Sequence, residues 1–246
     1  MQVWAITFAG RYTYWYQKAA EQGHEGAQIS LGNLYADGNG VLKDNPKSVY
    51  WYREAAEQGN PIAEQNLALA YCEGNGVQQD LFTAAHLFLS SAEKGHAPSQ
   101  YEIGLAYSKG RGVPQDSLKA LYWYHKAADQ GYLDAQCNLG CHYLEGLGVP
   151  KDYPEAIRWF QAAAEQGHAS AQCNLGIIYR DDKYGFKDDE TAYNWLSLAA
   201  YSGLNTAQIE LGKMFASGLG ACPRIENLLR KSWIWPDFPI IFVKYA

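Results

Sequence analysis

The sequence predicts an all-α solenoid of 36-residue helix-turn-helix repeats, and three observations predict it. A glycine recurs every 36 residues, at Gly23, Gly59, Gly95, Gly131, Gly167 and Gly203, with no insertion or deletion between copies. Each is followed by apolar residues four apart, such as Ala27, Leu31 and Tyr35, and then by a second run carrying Trp51, Trp123, Trp159 or Trp195 and a small pair such as Ala55-Ala56. Both runs have helical periodicity. Self-similarity at such a period means stacked hairpins, each of which buries its apolar face only against its neighbours.

The chain opens in the middle of a unit. Residues 1–22 supply MQVWAITFAG and then a second helix around Trp15 without its first, so a truncated leading half-repeat or cap is expected there. The stretch lacks a basic start and a small-x-small cleavage site, and no signal peptide is read in it. The array proper is expected over 23–222, as five full units and part of a sixth. Its first helices carry a Leu-Gly step, as at Leu31-Gly32, Leu139-Gly140 and Leu175-Gly176. Such a glycine costs about 1 kcal/mol relative to alanine, and makes sense where a neighbouring helix must approach closely.

The turn between the helices reads Gly-x-Gly-Val in four units, beginning with Gly38 to Val41. It follows a helix instead of a strand and lacks the Lys-Ser/Thr ending of a phosphate loop, so a plain turn with the valine tucked inward is expected. Asp44, Asp80, Asp116, Asp152 and Asp188 then stand where a short acceptor would hold the free amides of the second helix. Pro46 and Pro154 fall where a missing amide costs nothing. The opening glycine of the following unit ends that helix.

Three regions depart from the pattern. One unit replaces tryptophan with Leu87 and alanine with Ser91. Another has Asp182-Lys183-Tyr184-Gly185 in place of its glycine pair, so its loop is expected to be stiffer or displaced. Residues 223–246, rich in large apolar side chains from Trp233 to Phe242 and broken by Pro236 and Pro239, are expected to be a divergent tail or cap, too short and broken to span a bilayer.

The repeated residues, A-x-x-x-L-G-x-x-Y-x-x-G-x-G-V-x-x-D and then A-x-x-W-x-x-x-A-A-E-Q-G, resemble the Sel1-like repeat, a relative of the tetratricopeptide repeat, over roughly residues 11 to 222. The resemblance implies a right-handed α-α superhelix whose first helices line the concave side. It also implies a non-enzymatic scaffold or adaptor for a protein or peptide partner, a function attached to the fold and not to any one residue. Some cysteine-rich members staple each hairpin with a disulfide; here those slots hold Gln28, Gln136 and Gln172 opposite Ala56, Ala128 and Ala164.

Other chemistry fits these residues less well. A penicillin-binding or β-lactamase-like hydrolase would place Ser91 and Lys94 as a nucleophile pair, but the companion Ser-Asp-Asn and Lys-Thr-Gly elements are missing and Ser91 fills a small-residue packing slot. A thiol or metal sensor would use Cys137, Cys141 and Cys173. Stacked helices about 8–10 Å apart leave Cys137 and Cys173 badly placed for a disulfide, and no fourth ligand is evident. His24, His96 and His168 follow the opening glycines and cannot converge on one ion. No catalytic residue, metal or cofactor is therefore expected. The net charge of −6, with both signs interspersed, forms no basic stripe, which argues against nucleic acid and membrane insertion. An odd count of five cysteines favours a reducing, cytoplasmic compartment.

Variation between units is the remaining guide to function. On the first helices, the slots that vary freely on the side away from the Leu-Tyr stripe include Gln65, Tyr101 and Cys137, then Leu69, Leu105, Cys141 and Ile177, then Glu73, Lys109, Glu145 and Asp181. If these line the concave face, it has an apolar middle and an acidic edge, and would suit a helix or extended peptide with apolar anchors and basic flanks.

Overall fold

The computed structural model describes residues 8–218, with side chains from residue 13 onward. The expected apolar tail, 223–246, and Cys222 lie outside the described residues. Those residues form twelve α-helices and a single 3-10 turn, with no strand among them. α1 (Phe8–Glu21) stands where the leading half-repeat was expected. Hairpins follow in order: α2 (Glu25–Asp37) with α3 (Asn45–Glu57), α4 (Pro61–Glu73) with α5 (Leu81–Glu93), α6 (Ala97–Lys109) with α7 (Ser117–Ala128), then α8 (Leu133–Glu145). These make one compact unit, Met1–Lys151. A second, Asp152–Ala246, holds α9 (Tyr153–Ala164), α10 (Ala169–Arg180), the 3-10 turn Asp182–Tyr184, α11 (Asp189–Tyr201) and α12 (Asn205–Ala216).

The helix starts follow the sequence. Asp44 accepts a hydrogen bond from the Lys47 amide, and Asp80, Asp116 and Asp188 each accept from two amides of the first turn that follows. His24 and His168 do the same work for α2 and α10 through Nδ1, each at 3.2 Å, which is what these histidines are for. Gly38, Gly74, Gly110 and Gly146 end the first helices in the left-handed conformation.

The second glycine of the later pairs, at Gly76, Gly112 and Gly148, has a role that spacing alone did not show. A Cβ on Gly112 would lie 1.9 Å from the Leu81 carbonyl oxygen, and one on Gly76 would lie 2.4 Å from the Asn45 carbonyl carbon. The turn is thus pressed onto the second helix of the preceding hairpin, backbone against backbone. Val77 tucks inward against Val49, Tyr52, Leu67 and Ala70, as expected of the valine. The Leu-Gly step also behaves as expected: a Cβ on Gly104 would meet the Tyr124 ring at 2.8 Å.

The core runs along the leucine stripe, with Leu31, Ile103, Leu139 and Leu175 fully buried. Each stabilises its hairpin by roughly 1.5–3 kcal/mol. In the second helices the most buried large side chain is not the tryptophan but the residue after it: Tyr52, Phe88, Tyr124, Phe160 and Leu196 are buried, whereas Trp51, Trp123 and Trp195 are half-exposed. Where the glycine pair is lost, the 3-10 turn takes its place, and Tyr184 packs edge-on against Tyr153 with ring centroids 5.3 Å apart. The turn leaves its flanks undisturbed. The Asp188 amide still donates to the Tyr179 carbonyl at 2.7 Å, as that of Asp80 does to Tyr71 at 3.0 Å.

Candidate functional site

Two clefts in the first unit are copies of one another. The first, about 290 Å³, lies among α2, α3 and α4 and is lined by Ala36, Tyr52, Asn66, Leu69, Ala70, Glu73 and Asn75. The second, about 340 Å³, lies among α4, α5 and α6 and is lined by Cys72, Leu81, Phe88, Glu102, Leu105, Ala106 and Arg111. Most of the walls correspond one repeat on: Tyr52 with Phe88, Asn66 with Glu102, Leu69 with Leu105, Asn75 with Arg111. Stacking similar hairpins leaves a cleft at both of these junctions, and its lining changes from one to the next.

The linings differ in polarity. In the first cleft Tyr52 Oη donates to Asn33 Oδ1 at 2.6 Å, and Asn66 Nδ2 reaches the same oxygen at 3.4 Å, so the polar groups satisfy each other. In the second, Phe88 has no hydroxyl and a carboxyl replaces the amide. Glu102 makes no hydrogen bond or ion pair among the described residues. Burial, reinforced by the charge of Asp134, holds its carboxyl above the ordinary value, although Lys109 and Arg111 pull the other way.

The residues expected on the recognition face divide. Leu69 and Leu105 are half-buried cleft walls, and Glu73 is an exposed rim. Gln65 is half-buried beside them, and Lys109 and Glu145 are exposed at the ends of α6 and α8. Tyr101 stacks into an aromatic group, 5.9 Å from Tyr124 and 5.2 Å from Tyr132 between ring centroids. Burial raises its phenol well above the ordinary value and pushes Tyr124 up to about 12. Cys137 is buried and so presents no surface to a partner, while Cys141, one turn on, is half-buried. In the second unit, Ile177 packs onto the core around Cys173 and Leu196. Asp181 caps the 3-10 turn and pairs with Lys183 at 3.0 Å, which lowers its carboxyl and spends its charge locally.

Asn66, Glu102 and Arg111 were missed in the sequence. Their slots were visible: the register of Glu102 reads Ser30, Asn66, Asn138, Asn174 and Glu210 in the other units, so a carboxylate replaces the amide there twice.

The two rival chemistries look different in three dimensions. Ser91 is fully buried, and its Oγ donates to the Pro61 carbonyl at 2.7 Å. With that single proton used, the 2.8 Å contact to Ser99 Oγ makes Ser99 the donor. His96 Nδ1, 2.9 Å from Ser99 Oγ, donates in turn. The Lys94 ammonium binds Glu64 and the Gly59 carbonyl. Both side chains of that pair are thus engaged by neighbouring groups of the repeat.

Cys137 donates to Cys141, which raises the first thiol, with burial adding to the effect, and lowers the second. No group of three or more His, Cys, Asp or Glu able to hold a metal gathers among the described residues. Among the same residues no disulfide joins Cys72, Cys137, Cys141 or Cys173, and no helix is long and apolar enough to cross a membrane.

Comparison with known proteins agrees with this architecture. The family model of the Sel1 repeat matches residues 13–24, 26–60, 61–96, 97–132, 133–168, 169–204 and 206–235. The protective antigen c5321 of uropathogenic Escherichia coli, which displays an SLR fold, is 37% identical with a TM-score of 0.78; the match covers 84% of this chain and 44% of that one. The chain therefore spans less than half the length of that relative. A Sel1 repeat protein from Oxalobacter formigenes is 35% identical with a TM-score of 0.69, over 76% of this chain and 75% of that one. The immunity protein Pa5087 from Pseudomonas aeruginosa is 25% identical with a TM-score of 0.52, over 81% and 76%. A comparison with curated proteins yields no match.

Proposed function

The chain belongs to the Sel1 repeat family, whose members are generally protein-interaction scaffolds, and from that premise we propose that it is a non-catalytic scaffold holding a peptide segment of a partner protein across the clefts of α2 to α6. The observation that carries this reading is the recurrence of one cleft, with Leu69 and Leu105 as equivalent walls, along the face where sequence variation is concentrated. A groove with regularly spaced apolar seats suits an extended or helical segment, which offers side chains at regular intervals. Exposed Asp37 and Glu73 give its edge an acidic cast on α2 and α4, with Lys109 in the same slot on α6.

The test is affinity capture from the native host's lysate on the full chain and on a Leu69→Glu, Leu105→Glu variant, after circular dichroism has confirmed that both fold. Tyr101 is left unchanged because its ring packs against Tyr124 and Tyr132. A partner held by the parent and lost by the variant supports the reading. Identical captures would place binding elsewhere on the chain.

A further inference from the structure

The second unit contains an internal counterpart of the open cleft, already occupied. Glu210 on α12 stands at the repeat position of Glu102 on α6, and Arg180, the last residue of α10, stands at the position of Cys72 near the end of α4. Arg180 forms an ion pair with Glu210, which Lys213 joins at 2.7 Å. These two cations, with the Arg180 and Lys213 hydrogen bonds, hold the Glu210 carboxyl below its ordinary value despite its burial.

Glu102 has the carboxylate without a cation in ion-pair contact among the described residues, although Lys109 and Arg111 act on it from further away. At the slot of Arg180 it faces Cys72, whose short neutral side chain leaves the cleft of about 340 Å³ open. Its size lies at the low end of ligand sites, roughly 300–1,000 Å³. Arg111 also lines the cleft and is exposed, but makes no ion pair with Glu102 among the described residues. A half-buried carboxylate without a partner is costly, and a guanidinium is the group best able to relieve it, since it is weakly hydrated and bonds carboxylates with two parallel donors.

We propose that this cleft receives an arginine side chain of the partner protein, with Glu102 as its counter-charge and Phe88 and Leu105 enclosing its methylene stem. The partner's arginine does across the interface what Arg180 does within the chain. The inference rests on the peptide-binding reading above and adds the chemical identity of one anchor.

A displayed library of random peptides, selected on the full chain, tests both at separate points. Binders should share an arginine at one position. Replacing that arginine with norleucine, or Glu102 with Gln, should each weaken binding about tenfold, and both together no further. Binders without a basic preference, lost with Leu105→Glu but indifferent to E102Q, would overturn the arginine anchor and leave the groove reading standing. Selection that returns no binder sinks both.

A second measurement needs no ligand. Cys72→Arg installs the guanidinium of the Arg180 slot, and its melting temperature should equal or exceed that of Cys72→Ser, with the selected peptides losing at least about tenfold in affinity. A melting temperature several degrees below that of the serine variant would show that the cleft does not hold a guanidinium, and would overturn the proposal.

Discussion

The hairpin Gly59–Lys94 and the hairpins on either side of it close their open ends with different chemistry. In the flanking pair, Gln58 Nε2 donates to Gln28 Oε1 and Gln130 Nε2 to Gln100 Oε1, each at 2.7 Å. Between them, the same two slots hold Lys94 and Glu64, an ion pair at 2.6 Å. A little further in, Ala55 faces Ala63 at one junction and Ala127 faces Ala135 at another, where Ser91 and Ser99 meet here. What this teaches is that at this junction two facing slots have changed chemical class together. Amide replaces amide, or a cation and an anion replace both. Positions limited by the backbone have no such freedom.

The largest effect expected is therefore at a position where the hairpins agree. Gly112 has φ of +72° and its Cβ would fall 1.9 Å from the Leu81 carbonyl oxygen, so Gly112→Ala adds a backbone clash to left-handed strain. Gly131 has φ of +85° and open space around it. Urea unfolding should show a loss of about 3 kcal/mol for Gly112→Ala and only about 1 kcal/mol for Gly131→Ala. Equal losses would mean that the turn is not seated on the preceding hairpin.

Next comes the ion pair. Glu64 is buried; one of its oxygens accepts from Lys94 and Ser90 and the other has no partner, so Lys94 is the cation set against it. Lys94→Met should cost about 2 kcal/mol, less than the roughly 3–5 of a fully buried pair because the lysine is about one-third exposed. The matching cut in a flanking hairpin, Gln130→Met, should cost about 1 kcal/mol. The double variant Glu64→Gln, Lys94→Gln recreates the flanking chemistry and should recover the parent's urea midpoint. Failure to recover would mean that the slots are not equivalent.

The same rule explains what could be read in advance. The fold was legible because its determinants repeat: the capping aspartates, the Leu-Gly step and the hairpin-ending glycines stand in fixed register, and each copy confirms the others. The cleft walls Leu69 and Leu105 were legible from helical spacing. Glu102 was not, because the residue it shares its cleft with, Cys72, stands thirty residues earlier on a different helix. Pairing at that distance emerges only once hairpins are stacked. The buried role of Phe88 and Tyr124 was overshadowed by the adjacent tryptophan register, since spacing places a face but does not say how deep each side chain goes.

A smaller effect is expected where the serines meet. Ser91→Ala removes the donor to the Pro61 carbonyl and the acceptor of the Ser99 hydroxyl, for about 1 kcal/mol. Ser99→Ala alone should cost a similar amount. Because Ala opposite Ala is the arrangement of the flanking junctions, the double variant should lose less than the sum of the two, and a double-mutant cycle measures the difference. Strict additivity would mean that the serines do not act as a pair.

The smallest effect is a pH dependence that follows from the same junction. Burial holds the His96 imidazole below its ordinary value of 6.5, as it does that of His142. For a group so depressed, the unfolded chain binds the proton more readily, so its contribution is fully present above 6.5 and is lost as pH falls through that value toward the folded one. His96 donates from Nδ1 to Ser99, a bond that the charged ring can also make, so desolvation alone drives the loss and partial exposure screens it. The urea midpoint should therefore fall modestly between about pH 7.5 and about pH 5.5. His96→Asn, which places in this hairpin the cap that Asn60 provides in the one before, should flatten part of that slope and leave the share of His142. A slope unchanged by His96→Asn would mean that the imidazole titrates alike in the folded and unfolded chain, and that the junction differs from its neighbours in hydrogen bonding alone.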